Sequence, residues 1–179
     1  MSQYDSLSLI SAYSVLSSLK ESGVKDVGIK WPNDVYAGGR KICGILLEGV
    51  SREEMECLII GIGINVNQTV FEGDYLREPT SLALETGKEA DREDFRKNVY
   101  SKLLNNLQLL KKGHDFSEEI RKYDWLAGKE GLAEIEGKTE KIKIEGIERD
   151  GSLKIIYHDR ERKLRSGEIS FHTGGEETL

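Results

Sequence analysis

Two cysteines, two prolines, two tryptophans and three histidines in 179 residues leave several chemistries without material. Cys43 and Cys57 are too few and too irregularly spaced for a disulfide framework or a thiolate metal site, and no histidine accompanies either in a nucleophile pattern. Each sits among Ile and Leu, so both are expected as buried small hydrophobes. His114, His158 and His172 are scattered, which predicts solvated loop or strand ends rather than a ligand cluster. No apolar run approaches bilayer-spanning length and no signal peptide is visible, so a soluble, cytoplasmic protein without a membrane partner is expected. Basic excess is missing too. Lys and Arg number 26 against 32 Asp and Glu, the net charge is −6 and the sequence pI is about 5.3. That balance, with no helix-turn-helix extension, argues against DNA binding.

With 32% charged and 37% hydrophobic residues, the chain suits one medium domain and one small one. Leu9, Ala12, Tyr13, Leu16 and Leu19 recur at helical spacing and predict a helix ending near Gly23 that covers a sheet. Val27, Ile29 and Trp31 alternate with Gly28 and Lys30, a strand with one buried face. Gly38-Gly39 turns the chain into a strand over Ile42 to Glu48, and a third follows from Cys57 to Val66 after an acidic loop. Asp91 reads as the N-cap, with Asp94 in the first turn, of a helix that buries Phe95, Val99, Leu103, Leu107 and Leu110. A second amphipathic helix carries Phe116, Ile120 and Tyr123 and runs to about Leu126.

After Gly128 the pattern becomes short alternating strands: Leu132 to Ile135, Ile142 to Ile147, Leu153 to Tyr157, Arg162 to Leu164 and Ile169 to Phe171. Asp150-Gly151 is the clearest two-residue hairpin among them. The spacing predicts a small β-barrel, so the division expected is 1–128 and 129–179. The cluster Arg160, Arg162, Lys163 and Arg165 is either a solvated basic hairpin, the commoner meaning of such a run, or a surface for an acidic partner.

The densest chemistry lies in Lys30-Trp31-Pro32-Asn33-Asp34 and in Arg40-Lys41-Ile42-Cys43-Gly44-Ile45-Leu46-Leu47-Glu48. Pro32 cannot donate to a sheet ladder and biases Trp31 toward extended backbone, so the strand must turn where Asn33 and Asp34 appear. A ligand site and a plain Asn-Asp turn fit those five residues equally. Farther on, strand geometry puts Gly61, Gly63, Asn65 and Asn67 on one face and Ile62, Ile64 and Val66 on the other. Glycine weakens a strand, so alternate glycines imply close approach to the backbone, by a ligand or by a packed helix.

These three motifs, in this order, resemble the signature of biotin protein ligases. The resemblance implies an α+β fold with a mixed β-sheet packed against helices, followed by a small SH3-like β-barrel; Thr80-Ser81-Leu82-Ala83-Leu84 is similar to the family's short helix after a loop. It implies activation of biotin with ATP and Mg²⁺ to biotinyl-adenylate and transfer of biotin to a lysine of a carboxylase's biotin carboxyl carrier domain. A non-catalytic relative that binds biotin or its adenylate, and less closely a lipoate ligase, are the alternatives. One departure is notable: the family's upstream strands and its Gly/Arg-rich adenylate loop have no match in the sequence. The expectation is therefore a split gene, a fragment or a degenerate relative: a partial catalytic domain that a separate chain carrying the loop would complete, with an unfinished sheet edge that invites dimerisation as a homodimer or pairing with another chain.

The resemblance also assigns roles. Lys41 is the candidate catalytic residue beside the biotin carboxyl or acyl-phosphate linkage, and Lys30 a weaker phosphate contact. Asp34 is a candidate Mg²⁺ ligand or a positioner of the acceptor lysine. Asn33, Asn65 and Asn67 can both donate to and accept from ribose, phosphate or carboxyl oxygens. Gly44 would let the backbone reach the ureido ring, and Ile45, Gly61 and Gly63 are candidate biotin or ATP contacts. Trp31 either stacks on adenine or packs in the core.

Overall fold

A computed structural model describes residues 3–51, 55–75, 79–135, 137–165 and 171–172. Helix α1 (Gln3–Glu21) opens the chain. Leu9, Ile10, Ala12, Val15, Leu16 and Leu19 are buried, and so are Ser8, Ser11, Ser14 and Ser18. Burial therefore extends well beyond the expected apolar stripe. Ser11, Ser14 and Ser18 donate to the preceding turn, as in Ser11 Oγ to Leu7 O at 2.7 Å and Ser14 Oγ to Ile10 O at 2.8 Å, and Ser8 Oγ donates to Pro32 O at 3.2 Å, which lets a polar residue occupy a buried helix position without an unpaired hydroxyl. Small serines also allow close packing between a sheet on one side and another helix on the other.

That sheet has four antiparallel strands in sequential order, β1 (Val27–Lys30), β2 (Asp34–Ala37), β3 (Arg40–Ser51) and β4 (Met55–Ile64). The sequence reading missed β2, whose four residues lie between two turns. Gly38 and Gly39, both at positive φ, make the turn into β3, as hairpin geometry demands. Cys57, expected inside, is exposed on β4, whereas Cys43 is buried.

Helices α2 (Leu82–Thr86), α3 (Arg92–Lys111) and α4 (Ser117–Arg121) follow. Asp91 caps α3 as expected, its Oδ1 accepting from the backbone of Glu93 and Asp94. The buried face includes Asn106 where Leu107 was expected; its Nδ2 donates to Ser14 Oγ at 2.9 Å and ties α3 to α1. Helix α4 stops five residues short of Leu126. The chain leaves it to line the β1 edge instead: Ile29 N donates to Tyr123 O and Trp125 N donates to Ile29 O. Asp124 fixes the corner by accepting from Leu126 N at 2.9 Å and Ile147 N at 2.8 Å. Its burial raises the carboxyl pKa, and these backbone bonds oppose the shift.

The C-terminal strands β5 (Glu130–Ile135), β6 (Lys138–Ile147), β7 (Leu153–Tyr157), β8 (Arg160–Leu164) and β9 (Phe171–His172) form an antiparallel sheet in the order β8-β7-β6-β5-β9. The two-residue hairpin lies at His158-Asp159, both at positive φ, between paired Tyr157 and Arg160. Asp150-Gly151 belongs to a longer turn closed by Glu148 N to Ser152 O; the Asp150 carboxylate, bonded to the Ser152 hydroxyl and amide, selects that turn. Residues 169 and 170 of the expected last strand, Ile169 to Phe171, lie outside the described residues. In the basic hairpin, Lys163 pairs with Glu148 and Asp150, and the neighbouring Lys154 pairs with Glu161 and Glu145.

Candidate functional site

The site begins at the β1–β2 turn. The Trp31-Pro32 peptide is cis. Asn33 laces the turn to β3: its Nδ2 donates to Ile45 O at 2.8 Å and its O accepts from Ile45 N at 2.9 Å. The Asn33 side-chain amide is thus used across to β3 and not on its own backbone. Asp34 then starts β2 with two cross-strand neighbours, Lys30 on β1 and Gly44 on β3.

Between β2 and β3 the register slips. Val35 faces Cys43 but Tyr36 faces Lys41, so Ile42 is an extra residue on β3. Strand faces alternate strictly, and one inserted residue transfers everything beyond it to the other face. Ile42 and Cys43 are consequently both buried, while Lys41 shares the outer face with Tyr36, Asp34 and Gly44. Unbroken alternation from Gly44 would have turned Lys41 toward the core.

On that outer face Lys41 Nζ lies 2.7 Å from Asp34 Oδ1, with side-chain exposures of 48% and 18%. Gly44 makes room for the pair: a Cβ there would lie 3.3 Å from both Cε and Nζ of Lys41 and 3.5 Å from Asp34 Oδ1. A mobile ammonium held by a half-buried carboxylate can leave it for a more anionic ligand. Among the described residues no group of three His, Cys, Asp or Glu side chains could hold a metal ion by itself.

Gly44 faces Gly63, and Leu46 faces Gly61, on the same side of the sheet. Among the described residues, nothing but the neighbouring strand approaches a Cβ at either β4 glycine: Leu46 at 3.6 Å from Gly61 and Gly44 O at 3.8 Å from Gly63. The packed-helix reading of this glycine pair therefore fails among the described residues. What remains is a shelf without side chains, bordered by Leu46 and Ile59, which are 58% and 50% exposed. Behind it, Ile60, Ile62 and Ile64 pack against the core.

The asparagines are placed differently from expectation. Strand β4 ends at Ile64, so Asn65 and Asn67 lie beyond the pleat. Asn65 Nδ2 donates to Thr80 O at 3.0 Å, while Asn67 donates to Ala90 O and accepts from Ala90 N. Both organise the loop. Trp31 takes the core alternative, being 2% exposed with Nε1 donating to Gly151 O at 2.9 Å, across to the C-terminal sheet. Ile45 is also buried, leaving its backbone near the site and its side chain in the core. Lys30 stays on the site face; its Nζ donates to Tyr36 OH at 3.1 Å.

Sequence reasoning quoted Arg40 and Thr80 within motifs without giving either a role, and overlooked Tyr36, Glu85, Trp125 and Lys129. Tyr36 stacks obliquely on Trp125, 4.8 Å between centroids, and Lys129 Nζ caps the Trp125 ring at 3.1 Å. The period-two relation of Tyr36 to Asp34 would have flagged the first; Trp125 and Lys129 are about ninety residues away and carry no local signal. The Cys43 thiol beside the pair is pushed up to about 12 by burial first and by the Asp34 charge second, with Lys41 opposing. A thiol so raised is protonated at neutral pH, which disfavours it as a nucleophile. A separate cavity of about 300 Å³ lies among α1, α3, α4 and the β6–β7 turn, lined by Leu9, Ile10 and Phe116 and by the charged Asp115, Glu148 and Arg149. It holds no lysine.

A family model described as the biotin/lipoate A/B protein ligase family matches residues 3–65. The bifunctional ligase/repressor BirA of Bacillus subtilis is 40% identical over 89 residues, covering 48% of this chain and 27% of that protein. Biotin–protein ligase 2 of Arabidopsis thaliana is 28% identical over 167 residues, covering 86% of this chain and 48% of that one. The chain thus spans less than half the length of either curated relative. Among solved structures, the apo biotin protein ligase of Aquifex aeolicus superposes with a TM-score of 0.84 at 30% identity, covering 95% of this chain and 76% of that chain. The same ligase in complex with biotin and ATP gives 0.85 at 28% identity, covering 97% and 74%.

Proposed function

Because the chain belongs to the biotin protein ligase family, we propose that it forms biotinyl-adenylate from biotin and ATP and passes biotin to a lysine of a carboxylase's carrier domain. In the first step a biotin carboxylate oxygen attacks the α-phosphorus, the bond to the bridging oxygen breaks and pyrophosphate leaves. In the second, a neutral carrier amine attacks the acyl carbon, AMP leaves and the amine gives up its proton. The observation that carries this reading is the Lys41–Asp34 pair standing on an open glycine shelf.

Charge control is what the first step needs. Two anions must meet, and the transition state gathers negative charge on the phosphoryl oxygens, so alignment and a nearby cation supply most of the catalysis. Lys41 is the catalytic residue in this reading: drawn from Asp34 toward the carboxylate and the α-phosphate, its ammonium neutralises both. Asp34 holds that ammonium before substrate arrives and then faces the incoming carrier lysine. Mg²⁺ would enter with the triphosphate and offset its charge, with Asp34 as the carboxylate beside Lys41 able to share it. The shelf over Gly61 and Gly63 suits a flat, uncharged ring. The five-stranded sheet after Gly128 is read as the family's SH3-like domain, assisting nucleotide or carrier binding.

Biotin-dependent pyrophosphate release, followed by biotin on a carrier lysine, tests the proposal. Tight biotin binding with no adenylate would replace it with a binding protein, and faster turnover of lipoate than of biotin would replace the substrate.

A further inference from the structure

We infer that Thr80, acting with Glu85 and Arg40, is a positioning residue for Lys41: it clamps the β-bulge that decides which face of the sheet the lysine occupies. The reactive role of Lys41 rests on the ligase reading above; the clamp itself rests on geometry alone.

A bulge exposes backbone groups that the regular ladder would have paired, and an unpaired buried carbonyl is costly enough to pull the strand back into register. Here the two carbonyls at the slip are taken by two segments that are bonded to each other and together act as a strap: Asn65, which continues the β3–β4 pairing of Cys43 with Ile64, and Thr80. Thr80 N donates to Lys41 O and Asn65 N donates to Ile42 O, each at 2.9 Å. The strap is fixed in turn. Asn65 Nδ2 bonds Thr80 O, Leu82 N bonds Asn65 O and Ala83 N bonds Val66 O.

Thr80 is fully buried, and its hydroxyl donates to Glu85 Oε1 at 2.5 Å. The same oxygen accepts from Arg40 Nη2 at 2.9 Å. Arg40 is the residue before Lys41, so its side chain and the Lys41 carbonyl are gripped from one short segment, residues 80–85. The Glu85 carboxylate is the joint. It is 15% exposed against 40% for Arg40, so the ion pair is partly shielded from water and worth more than an ordinary surface pair. The lysine's backbone is pinned while its four-carbon stem stays free to leave Asp34 for a ligand.

Lys41 acetylation by a water-soluble amine reagent, read peptide by peptide in the mass spectrometer, tests the clamp without relying on turnover. Thr80→Val keeps the side-chain shape and removes the hydroxyl. The expected result is a several-fold change in Lys41 labelling with Lys30 labelling unchanged, restoration by Thr80→Ser, and a smaller change in Arg40→Met, whose surface position tolerates substitution if Thr80→Val fails to fold. Unchanged Lys41 labelling in both variants would overturn the inference. In the adenylation assay, Thr80→Val should lower kcat with KM for biotin nearly constant and add no further loss to Lys41→Ala; an equal loss in the Lys41→Ala background would also overturn it. If wild-type protein makes no adenylate, the ligase reading fails, and the labelling result still decides the clamp.

Discussion

Lys41 Nζ and Asp34 Oδ1, 2.7 Å apart on adjacent strands, meet across the space that the missing side chain of Gly44 leaves open. The pair is poised rather than locked, since half of the lysine side chain is in solvent and exposed ion pairs contribute little stability. Removing the ammonium should therefore damage chemistry far more than folding. Lys41→Ala is expected to keep its melting temperature while adenylate formation falls by about 10²–10³-fold, the scale of losing one cationic or hydrogen-bonding stabiliser of a transition state. Single-turnover release of pyrophosphate measures it; wild-type rates in Lys41→Ala would remove the lysine from the mechanism.

Asp34→Asn separates the two roles open to that carboxylate. If Asp34 orients the carrier amine, adenylate should still form and the transfer half-reaction should slow by roughly 10²-fold, the ordinary worth of a positioned acid–base group. If Asp34 instead shares Mg²⁺, the first step should slow and demand more Mg²⁺. Assaying the half-reactions separately over a Mg²⁺ titration distinguishes them.

Glycine at 44 and at 61 answers to different neighbours. Gly44→Ala would place a methyl group 3.3 Å from the lysine tip, which is flexible, so the lysine and not the backbone should give way. Stability should change by less than about 1 kcal/mol while Lys41 is displaced from Asp34. Gly61→Val meets only Leu46 and should fold, yet it fills the shelf. Calorimetry should then show biotin affinity weakened by at least about tenfold, equivalent to 1.4 kcal/mol; unchanged affinity would mean the shelf is not the biotin surface.

Much of this was readable from residue order. Asp91 as a cap, the α1 stripe and the buried faces of β1 and β3 follow from hydrogen-bonding capacity and periodicity, which act locally. The sequence reading went astray where a distant segment decided the outcome. Asn65 and Asn67 fall on the glycine face by simple counting, but β4 ends early because Thr80 and Ala90 offer carbonyls from later in the chain. Helix α4 gives way after Arg121 because the β1 edge supplies partners for the backbone of Tyr123 and Trp125. The Ile42 bulge is invisible for the same reason: Lys-Ile-Cys-Gly reads equally well with or without it, and only the strap at Asn65 and Thr80 selects one.

Trp31 gives the choice between core and nucleotide contact a direct test. Its Nε1 bond to Gly151 O joins segments 120 residues apart. Trp31→Phe removes the donor, leaves a buried carbonyl unpaired and should cost about 1–3 kcal/mol in urea unfolding. ATP affinity should stay as it was, because the ring faces the core. A loss of ATP affinity without loss of stability would restore the stacking role.

Cys43 and Cys57 should part company with pH. Exposed Cys57 is expected to react with iodoacetamide in the native protein, whereas Cys43 should resist until unfolding. The folded-state pKa of Cys43 is raised from 9.0 to about 12, chiefly by burial. The stabilisation from keeping this thiol neutral is therefore fully present below pH 9.0 and is lost as pH climbs toward 12. Cys43→Ala lacks that dependence but leaves a small cavity, costing on the order of 1 kcal/mol at neutral pH. The unfolding free energies of wild type and Cys43→Ala should accordingly converge above pH 9.0 and then cross, Cys43→Ala becoming the more stable before pH 12, with Lys and Tyr titrations cancelling between them. A constant difference would mean that water reaches Cys43 in the folded protein and that the β3 bulge is less tightly closed than the Thr80 strap requires.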